Sequence, residues 1–521
     1  MSISVLPGEF VGLIGPSGAG KTTLMMMMNG VTKPSNGDVF INSQSLFANF
    51  NSFKGQIGYV PQDDIIHREL KVKESLQFTA KLRFSNKYSN TEIQSQVQNV
   101  IDILDLKDAK DTLIGTAEKK GISGGQRKRV NLGQELLTEP SILFLDEPTS
   151  GLDPKTDMDV MQMLKNISDK GKIVVLTTHN ITVENFETLT HLIVLTKGGK
   201  LAYFGPANKA CSYFEADKPY RIFDILNGKE PDFWKDKYKG SEYYKEYILS
   251  RFDDDIKVNS RGSRINADNR HADLAQFFCL AQRYLKIKIR DKVSSLILLL
   301  QAPVIAVLIS LVFSKAEEKT QALFVLVIAA IWLGCSNAAR EIVSEQSIYK
   351  RERMVNLKIP SYILSKIAVL SALCLVQSLI LVLITVPILN MSVNIHELLA
   401  LLFTTSVSSL SIGLYISSLV STSEAAMGLI PIVLIPQVIL GGLISKFGAM
   451  SEFIKVLSSL MISHWAFEAA LICEFGNRQN PAMSGIGFNY GNAVLDYSIL
   501  FLFNLTFLAL TGYSLKKKDR I

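Results

Sequence analysis

The sequence predicts an α/β domain followed by an all-α domain of six membrane-spanning helices. A glycine-rich loop near residue 15 joins an apolar run that resembles a buried strand to a stretch that resembles a helix. Two further short apolar runs end in polar residues, as strands of a parallel sheet do. From residue 293 onward charged side chains become sparse, and six long apolar stretches follow one another.

The composition excludes a disordered chain, since 48% of the 521 residues are hydrophobic and only 20% are charged. We divide the chain into an α/β domain (1–215), a linker with an interfacial helix (216–292) and a membrane domain (293–521). The net charge of +7 is concentrated near the membrane junction, which favours lipid head groups over nucleic acid as partners. The five cysteines show no paired spacing, so they indicate neither a disulfide framework nor a zinc site.

Six stretches are long and apolar enough to cross a bilayer as helices. They are residues 293–313, 321–337, 367–389, 398–420, 425–444 and 496–515. The alternative is six buried helices of a large soluble core, but such helices rarely extend past about 20 residues without a charged face. Residues 445–495 contain apolar runs that predict short helices dipping back into the outer leaflet.

Basic residues in the short loops predict the orientation. The loop 338–366 and the tail after residue 515 are rich in Lys and Arg, whereas the loop 390–397 has neither. Both basic segments lie on the cytoplasmic side if the chain starts on that side and crosses the membrane six times. Met1 to Phe10 lacks a signal-peptide pattern, so we expect the α/β domain to be cytoplasmic and the membrane to be the plasma or inner membrane.

The segment from Gly15 to Thr22 matches the pattern G-x-x-x-x-G-K-[ST] between a predicted strand and a predicted helix. Backbone N–H groups of such a loop bind phosphates, Lys21 reaches the terminal phosphates and the Thr22 hydroxyl suits Mg²⁺. An ordinary glycine-rich turn is the alternative. The candidate nucleotide-binding residues here are Gly15, Pro16, Ser17, Gly18, Ala19, Gly20, Lys21, Thr22 and Thr23.

Two later apolar runs deliver polar residues to the same sheet edge. The run 141–145 is followed by Asp146 and Glu147. Asp146 can hold the Mg²⁺ shell, and Glu147 can polarise an attacking water. The run 172–178 ends at His179, a candidate to orient that water. A histidine at such a place can also be merely packed.

The motif Ser123-Gly124-Gly125-Gln126, with Arg127-Lys128-Arg129 after it, makes the chain resemble the ABC transporter ATPases. The resemblance implies an ATPase that uses ATP and Mg²⁺, in which Ser123, Gly124, Gly125 and Gln126 face the γ-phosphate held by the other subunit. It also implies that Gln62 touches Mg²⁺ and signals to the membrane domain, and that Asp153 lies in a loop crossing the dimer interface. Such a transporter requires a second copy of the chain, as a homodimer, or a related half-transporter.

The order of domains resembles the G subfamily of ABC transporters, the white and pleiotropic drug resistance group, with an ABC-2-type membrane domain. Residues 70–83, the signature region and residues 345–357 are similar to its helix after Gln62, its signature and its intracellular coupling helix. The resemblance implies an exporter of a lipid-like or amphipathic substrate, with a cavity between the second and fifth spans. Candidate cavity residues are Phe324, Trp332 and Gln437, for each of which packing within the bundle is the alternative.

Two other functions fit the same motifs: extrusion of a polysaccharide or lipid-linked glycan, and ATP-dependent regulation across the membrane without transport. One departure from the family concerns the aromatic residue that stacks on adenine, since only 20 residues precede Lys21. Either another residue stacks on adenine or, as we expect, the N-terminus of the α/β domain is incomplete. Residues 251–273 are polar and charged, which predicts a flexible linker.

Overall fold

The computed structural model describes residues 1–53, 55–84, 88–115, 121–179, 182–251, 274–313, 318–355, 357–476, 487–488 and 493–519. It divides into two compact units, residues 1–271 and 272–521. The segment 251–273, predicted to be a flexible linker, lies outside the described residues apart from Arg251. All five cysteines are free.

The first unit is built on a six-stranded sheet, which confirms the predicted α/β fold. The strand order is β4-β5-β6-β1-β7-β8, with β7 and β8 antiparallel and the other neighbours parallel. A separate ribbon pairs two short strands. The strands are β1 (Phe10–Ile14), β2 (Phe40–Ile41), β3 (Gln44–Ser45), β4 (Ile57–Val60), β5 (Ile142–Asp146), β6 (Ile173–Thr177), β7 (His191–Thr196) and β8 (Lys200–Pro206).

Strand β1 lies in the middle of the sheet, where all five of its residues are buried. Because both faces of a parallel sheet are covered, such a strand is a continuous apolar run, as its sequence indicated. The helices of this unit surround the sheet and form one apolar core with it. They are α1 (Lys21–Met28), α2 (Phe50–Phe53), α3 (Val72–Phe84), α4 (Asn90–Ile103), α5 (Gly124–Leu136), α6 (Pro154–Asp169), α7 (Val183–Thr188), α8 (Ala207–Phe214), α9 (Arg221–Asn227), α10 (Pro231–Lys239), α11 (Glu242–Tyr244) and a π-helical turn (Lys245–Leu249).

The second unit is helical, and six of its described helices are long and apolar enough to cross a membrane, as predicted. Two further helices, Glu452–Ser459 (α19) and Ile462–Phe475 (α20), follow each other with a bend of 85° in the region predicted to dip back. The helices are α12 (Leu274–Arg290), α13 (Lys292–Val312), α14 (Lys319–Ala338), α15 (Gln346–Val355), α16 (Ile359–Ile388), α17 (Ile395–Leu419), α18 (Ser423–Leu440), α19 (Glu452–Ser459), α20 (Ile462–Phe475) and α21 (Ala493–Lys518).

Helices α14 and α17 pack closely through small residues. A Cβ atom on Gly334 would lie only 2.1 Å from the Ser406 carbonyl oxygen, so no larger residue fits there. The Ser406 and Ser409 hydroxyls donate to the Ala330 and Ile331 carbonyls at 3.1 and 2.6 Å. Small residues and interhelical hydrogen bonds of this kind are what hold helices together in lipid.

The predicted coupling helix forms as α15 within a charged network. Arg283 of α12 pairs with Glu352, and Lys288 of α12 lies 2.5 Å from Glu341. Lys366 of α16 lies 2.5 Å from Glu345 and is itself buried. The acidic residues of the loop 338–366 therefore have basic partners within the membrane unit.

Candidate functional site

The loop from Gly15 to Thr22 connects the central strand β1 to helix α1. Gly15 is required by packing, because a Cβ atom there would lie 2.4 Å from the carbonyl oxygen of Leu195 in β7. Gly18 and Gly20 have φ of 76° and 87°, and a Cβ atom on either would meet open space. These two glycines thus permit the left-handed backbone and leave it accessible to a ligand.

Helix α1 begins directly at the end of this loop. Its N-cap, Gly20, provides no side chain to cap the first turn. The N–H groups of that turn are therefore not satisfied by a capping side chain, and the helix dipole adds positive potential. This arrangement fits the phosphates of a nucleotide.

Lys21 is almost fully buried at the base of the loop. Its Nζ donates hydrogen bonds to the carbonyl oxygens of Gly15 and Pro16 at 2.9 and 3.2 Å. Burial lowers the pKa of this ammonium, and the carboxylates of Glu147 and Asp146 act in the opposite direction. The attraction between an ammonium group and an anion is stronger where little water screens it, so Lys21 is suited to hold phosphate oxygens.

Asp146 ends strand β5 beside the loop and is almost fully buried. Its Oδ1 accepts a 2.6 Å hydrogen bond from Thr177 Oγ1, and Thr22 Oγ1 is 3.5 Å from the same oxygen. A carboxylate and a hydroxyl are ligands that Mg²⁺ prefers. In the described ranges no group of three or more His, Cys, Asp or Glu side chains is placed to hold a metal alone. Mg²⁺ would therefore depend on phosphate and water oxygens for the rest of its shell.

Glu147 follows Asp146 with a φ of 48°, an uncommon conformation for a residue other than glycine. Its carboxylate oxygens are 3.0 Å from Gln62 Nε2 and 2.9 Å from His179 Nε2. The three side chains come from the carboxyl ends of β4, β5 and β6, which are neighbours in the sheet. We predicted that Gln62 contacts Mg²⁺. In this structure its side-chain amide nitrogen bonds to the carboxylate of Glu147.

Thr177 is a further site residue that our sequence analysis did not single out. Its buried hydroxyl donates to Asp146 and accepts a 2.9 Å hydrogen bond from the backbone N–H of Glu147. One side chain therefore positions both acidic residues. The signal in the sequence was a hydroxyl residue at the last position of a buried strand.

Ser123 begins helix α5 with a reciprocal capping box. Ser123 Oγ accepts from the Gln126 N–H at 3.2 Å, and Gln126 Oε1 accepts from the Ser123 N–H at 3.0 Å. Ser123 and Gly124 are exposed. Lys128 and Arg127 of the same helix lie 3.7 and 3.6 Å from Asp64, two residues after Gln62.

Asp153 is exposed and caps helix α6. Its carboxylate accepts from the N–H and the hydroxyl of Thr156 at 3.1 and 2.6 Å, and these hydrogen bonds lower its pKa. A Cβ atom on Gly125 would lie 2.6 Å from the Thr156 methyl carbon. The starts of α5 and α6 therefore touch, which brings the Ser123 and Asp153 segments to one exposed surface.

Comparisons with known proteins relate both units of the chain to described families. Residues 1–150 match the model of the family described as "ABC transporter", and residues 275–475 match that of the "ABC-2 type transporter". The "ABC transporter ATP-binding/permease protein Rv1747" of Mycobacterium tuberculosis is 30% identical over 494 residues, which cover 90% of this chain and 55% of that protein. "Protein white" of Drosophila melanogaster is 27% identical over 571 residues, and the match covers 99% of this chain and 82% of that protein.

A plant relative matches over about half of this chain. "ABC transporter G family member 14" of Arabidopsis thaliana is 34% identical over 276 residues, or 51% of this chain and 42% of that protein. The chain thus spans about half the length of the mycobacterial relative and less than half of the plant one.

Proposed function

Because the chain belongs to the ABC transporters, with an ATPase domain followed by an ABC-2 type membrane domain, we propose that it is an ATP-driven exporter of the G or white type. The proposed substrate is lipid-like or amphipathic. The observation that supports the ATP-driven step most directly is the position of Glu147. Its carboxylate is held between Gln62 and His179, beside the loop that carries Lys21.

Each residue of the site has a proposed task. The backbone of residues 15–22 and Lys21 bind the phosphates of ATP, while Thr22 and Asp146 hold Mg²⁺. When bound, the metal neutralises charge on the phosphate oxygens. Glu147 accepts a proton from the attacking water, and the hydrogen bonds from Gln62 and His179 keep its carboxylate oriented for that transfer.

The working unit is proposed to contain two chains. Each chain carries one phosphate-binding loop and one signature segment, and the Ser123 segment is exposed here together with Asp153. An exposed helix N-terminus that carries a serine hydroxyl suits the phosphate held by a second chain. The simplest assembly is a C₂ homodimer, with a related half-transporter as the alternative partner.

The proposed substrate class rests on the chemistry of the membrane unit. Lys366, the buried basic residue of α16, forms an ion pair with Glu345, so its charge is matched. Of the three candidate cavity residues, Phe324 packs against Phe467 and Gln437 accepts a 2.9 Å hydrogen bond from the Ser463 N–H. Trp332 is 45% exposed and remains the best candidate contact for an amphipathic molecule.

The protein is an integral membrane protein, and we place it in the plasma or inner membrane with the ATPase domain cytoplasmic. Reconstitution into proteoliposomes with a panel of lipids and amphipaths tests the function. We expect one or more of these compounds to stimulate ATP hydrolysis and to move across the bilayer. ATP hydrolysis with no movement of any compound would instead support a regulator, and stimulation by a lipid-linked glycan alone would support a glycan extruder.

A further inference from the structure

The membrane unit has a second polar site, remote in sequence from the nucleotide motifs. A cleft forms where the segment 342–350, the end of α17 and the end of α21 meet. Its walls include Gln346, Lys350, Ser417, Leu515 and Lys518. We call it the basic cleft.

Two lysines line this cleft, and neither has a carboxylate partner among the described residues. Lys350 is exposed, and Lys518 donates a 3.1 Å hydrogen bond to the Val420 carbonyl oxygen. Both side chains line the same cleft. Among the described residues, neither forms an ion pair. Two like charges held together in this way create a site of positive potential that favours an anion.

The acidic residue of the cleft does not neutralise these lysines. Asp519 lies 2.6 Å from Arg353 Nε and 3.4 Å from the Tyr349 hydroxyl, so its charge is already matched. The Ser417 hydroxyl is likewise used, because it accepts hydrogen bonds from the N–H groups of Ile342 and Val343. An incoming anion therefore meets Lys350 and Lys518 as its free partners.

The surroundings of the cleft match a lipid better than a soluble anion. Helices α17 and α21 are both candidate membrane spans, and the cleft lies at the ends where they stop. Leu515 forms part of its wall, and Leu419, next to the cleft residue Ser418, is exposed. Lys516 and Lys517 lie on the same end of α21. Basic pockets between spans on the cytoplasmic side are known to suit anionic head groups.

We propose that the basic cleft binds the phosphate of an anionic phospholipid of the inner leaflet, between Lys350 and Lys518. Its acyl chains lie along the apolar ends of α17 and α21. Lys350 belongs to α15 and Lys518 to α21, so one head group links the predicted coupling helix to the last span. The site is independent of which substrate is exported.

The test compares two double variants of the full chain that lose the same charge. K350Q/K518Q removes the two cleft lysines, whereas K516Q/K517Q removes two exposed lysines of the same helix end. The proteins are purified in a neutral detergent and titrated with phosphatidylglycerol or phosphatidylcholine, with thermal stability as the readout. We expect phosphatidylglycerol to stabilise the wild type and K516Q/K517Q. K350Q/K518Q should bind it about 30-fold more weakly, at about 1 kcal/mol per lysine.

Equal weakening in both double variants would overturn the proposal, because it would indicate diffuse attraction to a basic surface. Stabilisation of the wild type by inorganic phosphate or glycerol 3-phosphate as strong as that by phosphatidylglycerol would also overturn it in favour of a soluble anion. If K350Q/K518Q does not fold, K350Q alone serves, because Lys350 is exposed and has no partner to lose. Phosphatidylglycerol must then bind K350Q more weakly than K516Q.

Discussion

The side-chain amide of Gln62 donates a hydrogen bond to Glu147, with 3.0 Å between Nε2 and Oε2. The two residues are 85 positions apart in the chain and meet because β4 and β5 are parallel neighbours. Lys128 bonds to the Gln62 carbonyl oxygen and lies near Asp64. The proposed base is thus linked through Gln62 to the signature helix of its own chain.

Replacing Glu147 with Gln should reduce ATP hydrolysis by at least about 100-fold, because general-base catalysis contributes on that order. ATP binding should persist, since Lys21 and the loop are unchanged. Steady-state ATPase rates and equilibrium binding of a labelled nucleotide measure the two effects. Glu187→Gln, an exposed change of the same kind, is the control. Hydrolysis at the wild-type rate in Glu147→Gln would show that another group is the base.

Replacing Thr177 with Val should impair hydrolysis although Thr177 touches no substrate. Val keeps the shape of the side chain but removes the hydroxyl that bonds to both Asp146 and Glu147. A buried group left without its partner costs about 1–3 kcal/mol, so the melting temperature should fall as well. Thr177→Ser retains the hydroxyl. Its ATPase rate and the Mg²⁺ concentration it needs for half-maximal activity should therefore stay close to the wild-type values. Equal behaviour of Val and Ser would refute the positioning role.

Two inactive chains should complement each other if the sites form between subunits. Lys21→Ala disables the loop, and Ser123→Arg blocks the signature segment. Each homodimer should be inactive, but a mixed dimer contains one site in which both Lys21 and Ser123 are intact. Co-expression with two different affinity tags and tandem purification gives the mixed dimer for ATPase assays. Absence of recovered activity in a verified mixed dimer would argue that each chain builds its own site.

Breaking the ion pair between Arg83 and Glu135 should destabilise the ATPase domain. The pair joins α3 to α5 at 2.6 Å, and both side chains are less than 10% exposed. Glu135→Ala leaves a buried charge without a partner, at a cost of about 3–5 kcal/mol. Arg83→Met combined with Glu135→Leu removes both charges and should recover much of the loss. Thermal unfolding of the wild type, Glu135→Ala and the double variant measures this, and a double variant no more stable than Glu135→Ala would contradict it.

Acid should destabilise the ATPase domain in part through His191. Burial lowers the pKa of His191, and the charge of Arg251 acts in the same direction while that of Glu9 opposes it. The unfolded chain therefore binds a proton at His191 more readily than the folded chain does. Stability should fall as pH drops below about 6.5, the ordinary value for histidine. His191→Asn should weaken this pH dependence in thermal unfolding measured between pH 8 and pH 5, and an unchanged slope would exclude His191.

The ends of the membrane spans show how far hydropathy alone could be used. The third span was predicted at 367–389, but α16 begins eight residues earlier, at Ile359. Hydropathy excludes the segment with Lys366, whereas in the structure that segment is helical and Lys366 is paired with Glu345. The other predicted spans agree with the helices to within a few residues.

The sequence by itself determined the phosphate-binding loop, the strands that lead to Asp146 and His179, and the six spans, while the family resemblance supplied the signature helix. These features are local, since each depends on the period or spacing of residues within one segment. Only the tertiary structure decided that Thr177 holds both acidic residues, that Gln62 bonds to Glu147 and that Lys350 and Lys518 line one cleft. Such contacts join segments tens to more than a hundred residues apart, and strand register and helix packing bring them together.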